Sequence, residues 1–410
     1  MESRRDRAAV TTEPCNTAAT TLPGKGQCVM AVTNDMLTDQ RVRRAATTLV
    51  EAGWTVTVVG RSLQPAGSPQ YRRADACEPF AVSRMRLLFR RKAFFYAEYN
   101  LRLLLRLLRM PVDLIYSNDT DTLPACYLAA RLRRKRLFFD AHEMFPEVPE
   151  LVGRKAVKRV WEAIEARLFP RLTACCTVSQ SIADAYAERY GVKMSVVRNL
   201  PPRRHDAADA EPDAGSERRE RVLLYQGAVN VGRGVDWLID ALEWLPQCRL
   251  VVAGDGDELQ LMIAKAAIKP YKDRIEFLGR MLPGDLAAVT RRADLGVCLL
   301  KRMGLSYYYA LPNRVGDFVQ ARVPLLMTDF PELRRVAERY GIGTLVPEDC
   351  TEPRRLAQAV ADALRHWDAM PADERRQLFD RAGEELCWES ERPRLLTAID
   401  SATPPIVRPS

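Results

Sequence analysis

The segment from Ala310 to Pro331 carries residues that could bind a nucleotide. Pro312 and Asn313 form a turn that should open a short helix, and Asp317 follows one turn into that helix. The free N–H groups of a helix N-terminus form an anion site, which the helix dipole strengthens. A carboxylate just inside the helix can accept hydrogen bonds from both ribose hydroxyls. The pattern therefore predicts a site for a diphosphate and a ribose, as in a nucleotide-sugar. The alternative is an ordinary capped helix with a surface aspartate.

A glycine-bearing loop between a strand and a helix carries a single arginine. In the run LLYQGAVNVGRGVDWLIDAL, Gly227, Gly232 and Gly234 allow the backbone to approach a ligand closely. Arg233 lies within this loop just before the helix, where its guanidinium would point at phosphates. The arginine makes this pattern more specific than a glycine loop alone. The turn that contains Arg280, in FLGRM, could line a base pocket, although such turns are commonly structural.

A histidine follows directly after a predicted strand in FFDAHEMFPEVPEL. That strand ends at Asp140, and His142 and Glu143 come next. The chain contains three histidines, and another of them, His205, falls in a polar segment. A residue at the carboxyl end of a strand in a parallel sheet faces the ligand cleft. His142 could donate to a hydroxyl or stabilise developing charge there. The alternative is a hydrogen-bonded core or loop histidine beside a surface glutamate.

Two further polar loops follow predicted strands. The run SNDTDTLPA places Asp119 and Asp121 in a DxD pattern, which can hold a divalent metal on a nucleotide diphosphate. Capping of the next helix, loop solvation and polar lining of the cleft are the alternatives, and we expect no bound metal. The loop after the first strand contains Thr38 and Asp39, which could face the cleft or simply cap the following helix. Since this loop has no GxGxxG pattern, a dinucleotide role is not expected.

Length and composition predict a two-domain cytoplasmic protein. With 410 residues, the chain exceeds one typical hydrophobic core. Its start is basic but lacks the apolar region of a signal peptide, and no apolar run approaches the roughly 18 residues of a membrane span. The ten cysteines are scattered without a CxxC pair, as in proteins of a reducing compartment.

The net positive charge is concentrated in the first half of the chain. Residues 1–200 hold 32 Lys and Arg against 20 Asp and Glu, a net of +12, so the remainder carries −3 to reach the total of +9. The stretch 84–110 contains eight basic residues and one acid, interleaved with Leu, Phe and Tyr. As a basic amphipathic helix it could lie on an anionic membrane. The alternative is an apolar face packed on a sheet with a solvated basic face. A nucleic-acid partner is not expected, because no known binding motif is present.

Short apolar runs alternate with helical periodicity, which predicts two parallel α/β sheets. Two doubly wound domains leave a cleft between the carboxyl ends of their sheets, where ligands bind. We predict a disordered tail at 1–27, an N-terminal domain at 28–200, a Pro- and Ala-rich linker at 201–221, a C-terminal domain at 222–380, and a helix with a tail at 381–410. The predicted strands are 28–33, 55–59, 114–117, 137–140, 174–178 and 195–197, then 222–225, 250–253, 275–278, 295–299, 324–327 and 344–346.

In combination, these motifs resemble those of the retaining glycosyltransferases of family 4, which have the GT-B fold of two Rossmann-like domains. The likeness is collinear from TNDMLTDQ through SNDTDTLPA, FFDAHEMFPEVPEL, YQGAVNVGRG and GDGDEL to FLGR and LPNRVGDFVQARVPLLMTDFPE. The resemblance implies a nucleotide-sugar donor on the C-terminal domain, an acceptor on the N-terminal domain, no bound metal, and a last helix that crosses back from the region of Trp388. It also implies sugar transfer with retention in polysaccharide or glycoconjugate synthesis, with the leaving diphosphate drawing the acceptor proton.

The resemblance assigns roles by position. His142 matches the cleft histidine near the transferred sugar, and Arg233 matches the basic residue that binds the diphosphate. Asp317 matches the second glutamate of the family's E-x7-E motif, which holds the ribose. There are two departures. The first glutamate of that motif falls on Tyr309, and the basic residue that often follows the first glycine falls on Ala228.

Both departures fall in the predicted donor site, to which Gly227 also belongs. The N–H groups of the turn that begins at Asn313, together with the Arg314 side chain, could compensate. The basic, apolar N-terminal half fits a glycan or polyprenyl-diphosphate-linked acceptor and a peripheral position on the inner face of the cell membrane. One alternative is a GT-B-shaped sugar-nucleotide 2-epimerase, which needs no acceptor. Another is a non-catalytic nucleotide-sugar or membrane-binding scaffold, which Tyr309 keeps open.

Overall fold

The computed structural model describes residues 24–204 and 220–404, apart from positions 66, 152 and 351. Most of the predicted disordered tail and residues 205–219 of the predicted linker therefore lie outside the described residues. The predicted tail extends too far, because the first strand already begins at Gly26. The end of the predicted linker likewise includes Arg221, which starts the first strand of the second sheet.

The N-terminal domain is a seven-stranded parallel sheet with the strand order β3-β2-β1-β4-β5-β6-β7. Successive residues of β1 alternate between two core clusters, since Cys28 and Met30 belong to one and Val29 and Ala31 to the other. Both faces of the sheet are therefore buried, as expected for a parallel sheet covered by helices. The elements are β1 Gly26–Ala31, α1 Gln40–Glu51, β2 Trp54–Arg61, α2 Pro69–Ala76, β3 Ala81–Met85, α3 Lys92–Arg109, β4 Leu114–Asn118, α4 Leu123–Arg133, β5 Arg136–Ala141, α5 Lys155–Leu168, β6 Cys175–Thr177, α6 Gln180–Tyr190 and β7 Ser195–Val196.

The C-terminal domain repeats this architecture with a six-stranded parallel sheet in the order β10-β9-β8-β11-β12-β13. In both sheets the strand order reverses beside the first strand, at β1/β4 and at β8/β11, and ligands of such folds bind at this switch point. The elements are β8 Arg221–Gln226, α7 Val235–Ala241, β9 Cys248–Ala253, α8 Leu259–Ala267, β10 Ile275–Gly279, α9 Pro283–Arg291, β11 Leu295–Cys298, α10 Leu305–Tyr308, α11 Asn313–Gln320, β12 Leu325–Thr328, α12 Pro331–Tyr340, β13 Gly343–Val346, α13 Pro353–Ala369, α14 Ala372–Glu385 and α15 Trp388–Asp400.

The sequence predicts a basic amphipathic helix over residues 84–110, but this stretch is not one helix. Its first residues complete β3, a loop follows, and α3 begins only at Lys92. Strand β3 was not predicted, because it lies at the edge of the sheet and only Met85 of its five residues is fully buried. An edge strand of this kind lacks the continuous apolar run that marks the central strands.

The chain crosses back to the N-terminal domain at its C-terminal end. Helix α14 packs on α11 and α12, whereas α15 packs on α1, β6 and β7. The boundary predicted at residue 381 is therefore misplaced, because it cuts α14; the break lies between Glu385 and Trp388. Trp388 anchors the return, since its indole N–H donates to Thr48 Oγ1 at 3.0 Å and its backbone N–H donates to the Pro201 carbonyl at 2.8 Å.

Within the described residues, no helix is both long and apolar enough to cross a bilayer. The nine cysteines described there are free, and eight of them are buried. Burial raises the pKa of the Cys175 thiol to about 12, which keeps it protonated and unreactive.

Candidate active site

A cavity of about 320 Å³ lies between the two domains, at the carboxyl ends of both sheets. It is lined from both sides, so it exists only because the domains face each other. The lining residues are His142, Glu143, Val178, Ile182 and Asn199 from the N-terminal half, and Gln226, Gly227, Ala228, Arg233, Ser306, Tyr307, Ala310, Leu311, Pro312, Asn313 and Arg314 from the C-terminal half.

The cavity gathers six of the residues predicted from the sequence. They are His142, Glu143, Gly227, Arg233, Asn313 and Arg314. Six others do not line it: Thr38, Asp39, Asp119, Arg280, Tyr309 and Asp317. Thr38 is exposed, and Asp39 caps α1 by accepting the Val42 N–H at 3.0 Å, which was the alternative considered for this loop. Arg280 is exposed just after β10.

The glycine loop after β8 presents Arg233 to the cavity. Its guanidinium lies 4.3 Å from the centre of the Tyr307 ring, a cation–π contact that fixes its direction. Its buried Nε has no hydrogen-bond partner among the described residues. The loop needs its glycines, because Gly232 and Gly234 have φ values of 79° and 73°, which other residues rarely adopt. Arg233 is therefore a cation with spare donor capacity on the cavity wall.

The turn before α11 forms the facing part of the donor side. Asn313, the first residue of α11, is exposed to the cavity, and Pro312 precedes it in an extended conformation. Arg314 is 6 % exposed; its guanidinium donates to the Gln226 carbonyl at 3.2 Å and stacks on the Tyr225 ring at 4.5 Å. Arg314 thus supports the floor of the cavity by bonding to the protein itself. The Val315 N–H already donates to the Pro312 carbonyl at 3.0 Å, so the anion site at the N-terminus of α11 stays a prediction for the N–H groups of Asn313 and Arg314.

Asp317 lies behind a residue that the sequence analysis missed. Gln226 lines the cavity and donates from Nε2 to Asp317 Oδ2 at 3.1 Å, while its Oε1 accepts from Thr290 at 2.8 Å. Burial raises the pKa of Asp317, and the nearby Arg44 and Arg204 guanidinium groups oppose this rise. A polar residue that ends an otherwise apolar strand was the signal available for Gln226.

Tyr309, at the position of the family's first glutamate, acts between the domains. Its backbone carbonyl accepts a hydrogen bond from Ser179 Oγ at 2.8 Å, and its side chain packs against the N-terminal core. A second contact lies close by in sequence, where the Ser181 N–H donates to Glu332 at 2.8 Å. Asn199, also missed from the sequence, lines the cavity and accepts from Arg44 at 2.5 Å.

His142 lies beside two carboxylates, those of Asp119 and Asp140. Its backbone N–H donates to Asp119 Oδ1 at 2.7 Å, and its Nδ1 lies 3.3 Å from Asp119 Oδ2. Its Nε2 lies 3.2 Å from Asn118 Oδ1 and 3.6 Å from Asp140 Oδ2. Burial opposes a charge on the ring, but the Asp119 and Asp140 carboxylates outweigh it and raise the pKa of His142 to about 9. Asp140 is in turn held by a buried ion pair with Arg41 at 2.6 Å.

The two carboxylates of the DxD pattern serve separate hydrogen bonds. Asp119 holds His142, as above, and Asp121 accepts from Thr33 Oγ1 at 2.7 Å. Burial, together with the Asp119 charge, raises the pKa of Asp121 to about 7. Among the described residues, no group of three or more His, Cys, Asp or Glu side chains is placed to hold a metal ion.

Comparison with known proteins identifies the family. The model of Glycosyltransferase Family 4 matches residues 39–201, and that of Glycosyl transferases group 1 matches residues 220–366. The first match lies in the N-terminal domain and the second in the C-terminal domain, and the fold is GT-B. This chain is a glycosyltransferase, and it belongs to family 4.

Individual relatives are distant. Glycogen synthase from Mycobacterium tuberculosis is 29% identical over 150 residues, and this match spans only 35% of each chain. The structure is similar to that of sucrose-phosphate synthase from Thermosynechococcus elongatus, with a TM-score of 0.68 and 16% identity over 91% of this chain and 98% of that one. It is also similar to Anabaena HepE in complex with UDP-glucose, with a TM-score of 0.67 and 14% identity over 92% of this chain and all of the other. At these identities the structural likeness concerns the fold.

Proposed function

We propose that this enzyme transfers a sugar, with retention of configuration, from a nucleotide-sugar to a glycan or a polyprenyl-diphosphate-linked acceptor, and that it does so without a metal. The observation that carries the proposal is the cavity wall formed by Arg233 and the N-terminus of α11. A cavity-lining arginine without an ion-pair partner among the described residues and a helix N-terminus both favour a diphosphate. HepE, which shares the fold, holds UDP-glucose.

In the proposed reaction, the diphosphate binds at Arg233 and α11, and the sugar extends toward His142 and Glu143. Positive charge fixed on the donor side stabilises the leaving diphosphate more in the transition state than in the substrate. Among the described cavity residues, Glu143 is the one carboxylate. The ring of its neighbour His142 is held by the carboxylates of Asp119 and Asp140, which lie outside the cavity lining. We therefore propose front-face attack, in which the leaving oxygen takes the acceptor proton and the protein supplies orientation and charge.

A second surface supports a lipid-linked acceptor. Phe94, Leu101, Leu105 and Leu108 form an exposed apolar stripe along α3, with exposed fractions of 69, 58, 41 and 36%. This stripe is separate from the buried face of α3, where Tyr99, Leu103 and Leu107 pack on the sheet. An exposed apolar stripe beside basic side chains is typical of a helix that lies in a membrane interface.

The loop before α3 extends this surface. Leu88 is 80% exposed, and Phe89 packs on Phe94 with ring centres 5.4 Å apart. The loop is held in place by Glu98, which accepts the backbone N–H groups of Leu88 and Phe89 at 2.9 and 2.8 Å and also pairs with Arg102. The one acid of this stretch is thus neutralised by the protein. We propose that this surface binds the anionic inner face of the cell membrane.

The proposal is tested first with the donor. A thermal-shift panel of UDP-, GDP- and dTDP-sugars should show stabilisation by one nucleotide class, because a ligand that binds only the folded state raises its stability by mass action. The selected donor is then incubated with lipid-linked and soluble acceptors, and NMR reads the anomeric configuration of the product. An inverted product would refute retention, and no binding of any nucleotide-sugar would refute the function.

The same incubations distinguish the alternatives. A sugar-nucleotide 2-epimerase would change the donor without an acceptor, so turnover of donor alone to an epimer would favour it. A non-catalytic scaffold is favoured by Tyr309, which replaces a family carboxylate with a side chain that packs between the domains. Donor binding without turnover under any acceptor condition would support that alternative.

A further inference from the structure

Each ring nitrogen of His142 faces an oxygen atom, a carboxylate oxygen of Asp119 at Nδ1 and the amide oxygen of Asn118 at Nε2. The Asn118 amide is fixed in orientation, because its Nδ2 donates to the Ala31 carbonyl at 2.9 Å. Its Oδ1 is therefore the atom 3.2 Å from His142 Nε2, while a carboxylate oxygen of Asp119 lies 3.3 Å from Nδ1. A neutral imidazole carries one N–H and would leave its other lone pair facing an oxygen. With Asp119 ionised, only the doubly protonated ring satisfies both neighbours. Burial raises the pKa of Asp119, and the charge on His142 opposes this rise.

The charges around His142 balance this state. Asp140, at the end of β5, lies 3.6 Å from Nε2 and receives hydrogen bonds from Arg41 on α1 and from the Tyr116 hydroxyl. The Cys176 thiol on β6 also donates to Asp140, at 3.2 Å. In this state two cations, His142 and Arg41, lie beside two carboxylates, those of Asp119 and Asp140. The carboxylates of Asp39 and Asp121 also lie near enough to interact with Asp119.

We propose that Asp119 is a positioning residue that holds His142 as a doubly protonated, fixed side chain on the cavity wall and so prevents it from acting as a general base. This inference rests on the proposed sugar transfer and concerns the role of Asp119 and the protonation of His142 in it. The bond from the sugar C1 to the diphosphate oxygen breaks, and the bond from C1 to the acceptor oxygen forms. The acceptor proton passes to the leaving diphosphate oxygen, since His142 already carries a proton on each nitrogen.

The pH dependence follows from the direction of the shift. Burial lowers the pKa of His142, but Asp119 and Asp140 raise it further, to about 9. The ring is therefore charged at neutral pH and loses its proton only as the pH rises through about 9. A general base with the ordinary histidine pKa of about 6.5 would instead lose activity as the pH falls through that value.

Asp119→Asn is the variant that isolates the charge. Asp119 has a φ of 59°, in the left-handed region that asparagine tolerates as well as aspartate does. The asparagine oxygen can still accept the His142 backbone N–H, so the loop keeps its hydrogen bond. Only the charge opposite Nδ1 is lost, and the pKa of His142 should fall by roughly 1–3 units. Asp184→Asn, at an exposed position on α6, is the matched control.

The experiment combines NMR with kinetics on the full chain. Titration of the imidazole signals, with His142 assigned by comparison with His142→Gln, should give a pKa near 9 in the wild type and in Asp184→Asn, and a lower value in Asp119→Asn. The rate constant kcat should stay level through neutral pH and fall on the alkaline side, because a ring that loses a proton is no longer held by both neighbours and no longer places a positive charge beside the transferred sugar. This fall should move to lower pH in Asp119→Asn, while KM for the donor is unchanged.

Either of two results overturns the inference: a neutral His142 at pH 7 in the wild type, or an alkaline fall in kcat that Asp119→Asn does not move. The wild-type titration needs no variant, so misfolding of Asp119→Asn does not protect the inference. Absence of transfer with every donor and acceptor would refute the proposed function instead, and the titration would still decide the protonation of His142.

Discussion

The sharpest prediction concerns Arg233→Ala. Arg233 lines the cavity, and its side chain makes no ion pair or hydrogen bond with the described residues, so its guanidinium is available to a bound diphosphate. Loss of a charge-assisted hydrogen bond costs roughly 1.5–3 kcal/mol. Each 1.4 kcal/mol is about a tenfold change in affinity, so the variant should bind the nucleoside diphosphate and the whole donor roughly 10- to 150-fold more weakly. Both ligands should be affected alike, since the contact is to their shared diphosphate.

A matched control separates binding from stability. Arg302 also stacks on a neighbouring ring, that of Tyr308 at 4.2 Å, but it does not line the cavity. Its further ion pair with Glu348 at 3.3 Å is exposed and therefore contributes little to stability. Arg233→Ala and Arg302→Ala should each lose a cation–π contact of about 0.5–1 kcal/mol and should therefore lower the melting temperature by similar amounts. Only Arg233→Ala should change ligand affinity.

Isothermal titration calorimetry with the nucleoside diphosphate and with the nucleoside alone measures the effect. The nucleoside, which has no phosphates, should bind equally to the wild type and to Arg233→Ala. Unchanged affinity for the diphosphate in Arg233→Ala would show that the phosphates lie elsewhere. An equal loss with Arg302→Ala would show that the effect comes from the stability of the domain.

Three further predictions follow from the structure. Transfer activity should survive EDTA; a loss that magnesium or manganese restores would contradict metal independence. The double variant Leu101→Ser/Leu105→Ser should bind anionic vesicles more weakly in a flotation assay, because less apolar surface enters the interface. The control Leu261→Ser, at a 57% exposed position of the other domain, should bind as the wild type does. Equal binding by the wild type, the double variant and the control would refute the proposed surface. Glu391→Ala should lower the free energy of unfolding by roughly 3–5 kcal/mol, because fully buried Glu391 pairs with Arg198 at 2.6 Å and its removal leaves the arginine charge unpaired. A melting temperature unchanged within experimental error would contradict a stabilising role of this ion pair.

The parallel sheets were predictable because buried parallel strands read as continuous apolar runs. Every predicted strand is present within a few residues of its observed bounds, whereas β3 was missed because its edge position leaves most of it partly exposed. His142 and Glu143 were found because they directly follow a strand, and the carboxyl ends of strands face the cleft in this fold. Arg233 was found because it lies in a glycine loop just before a helix.

The remaining site residues depend on packing between distant parts of the chain. Gln226 and Asp317 meet across 91 positions, and Arg44 reaches Asn199 across 155. No local periodicity signals such pairs. The same applies to Tyr309, whose position by resemblance suggests the sugar site but whose side chain packs on the other domain. Local pattern thus located the ends of the strands, while the partners of each side chain required the three-dimensional fold.

The two crossings between the domains lie side by side, joined by the hydrogen bond from the Trp388 N–H to the Pro201 carbonyl. A pair of adjacent connections acts as a hinge with one axis, which permits rotation of the domains and resists twisting. On the cleft side, hydrogen bonds such as those of Ser179 with Tyr309 and of Ser181 with Glu332 join the domains. A net contribution of about 1 kcal/mol for each such bond is small enough to be exchanged for contacts with a substrate. We therefore expect the domains to open and close about this line, so that substrate entry and product release would use the same rotation.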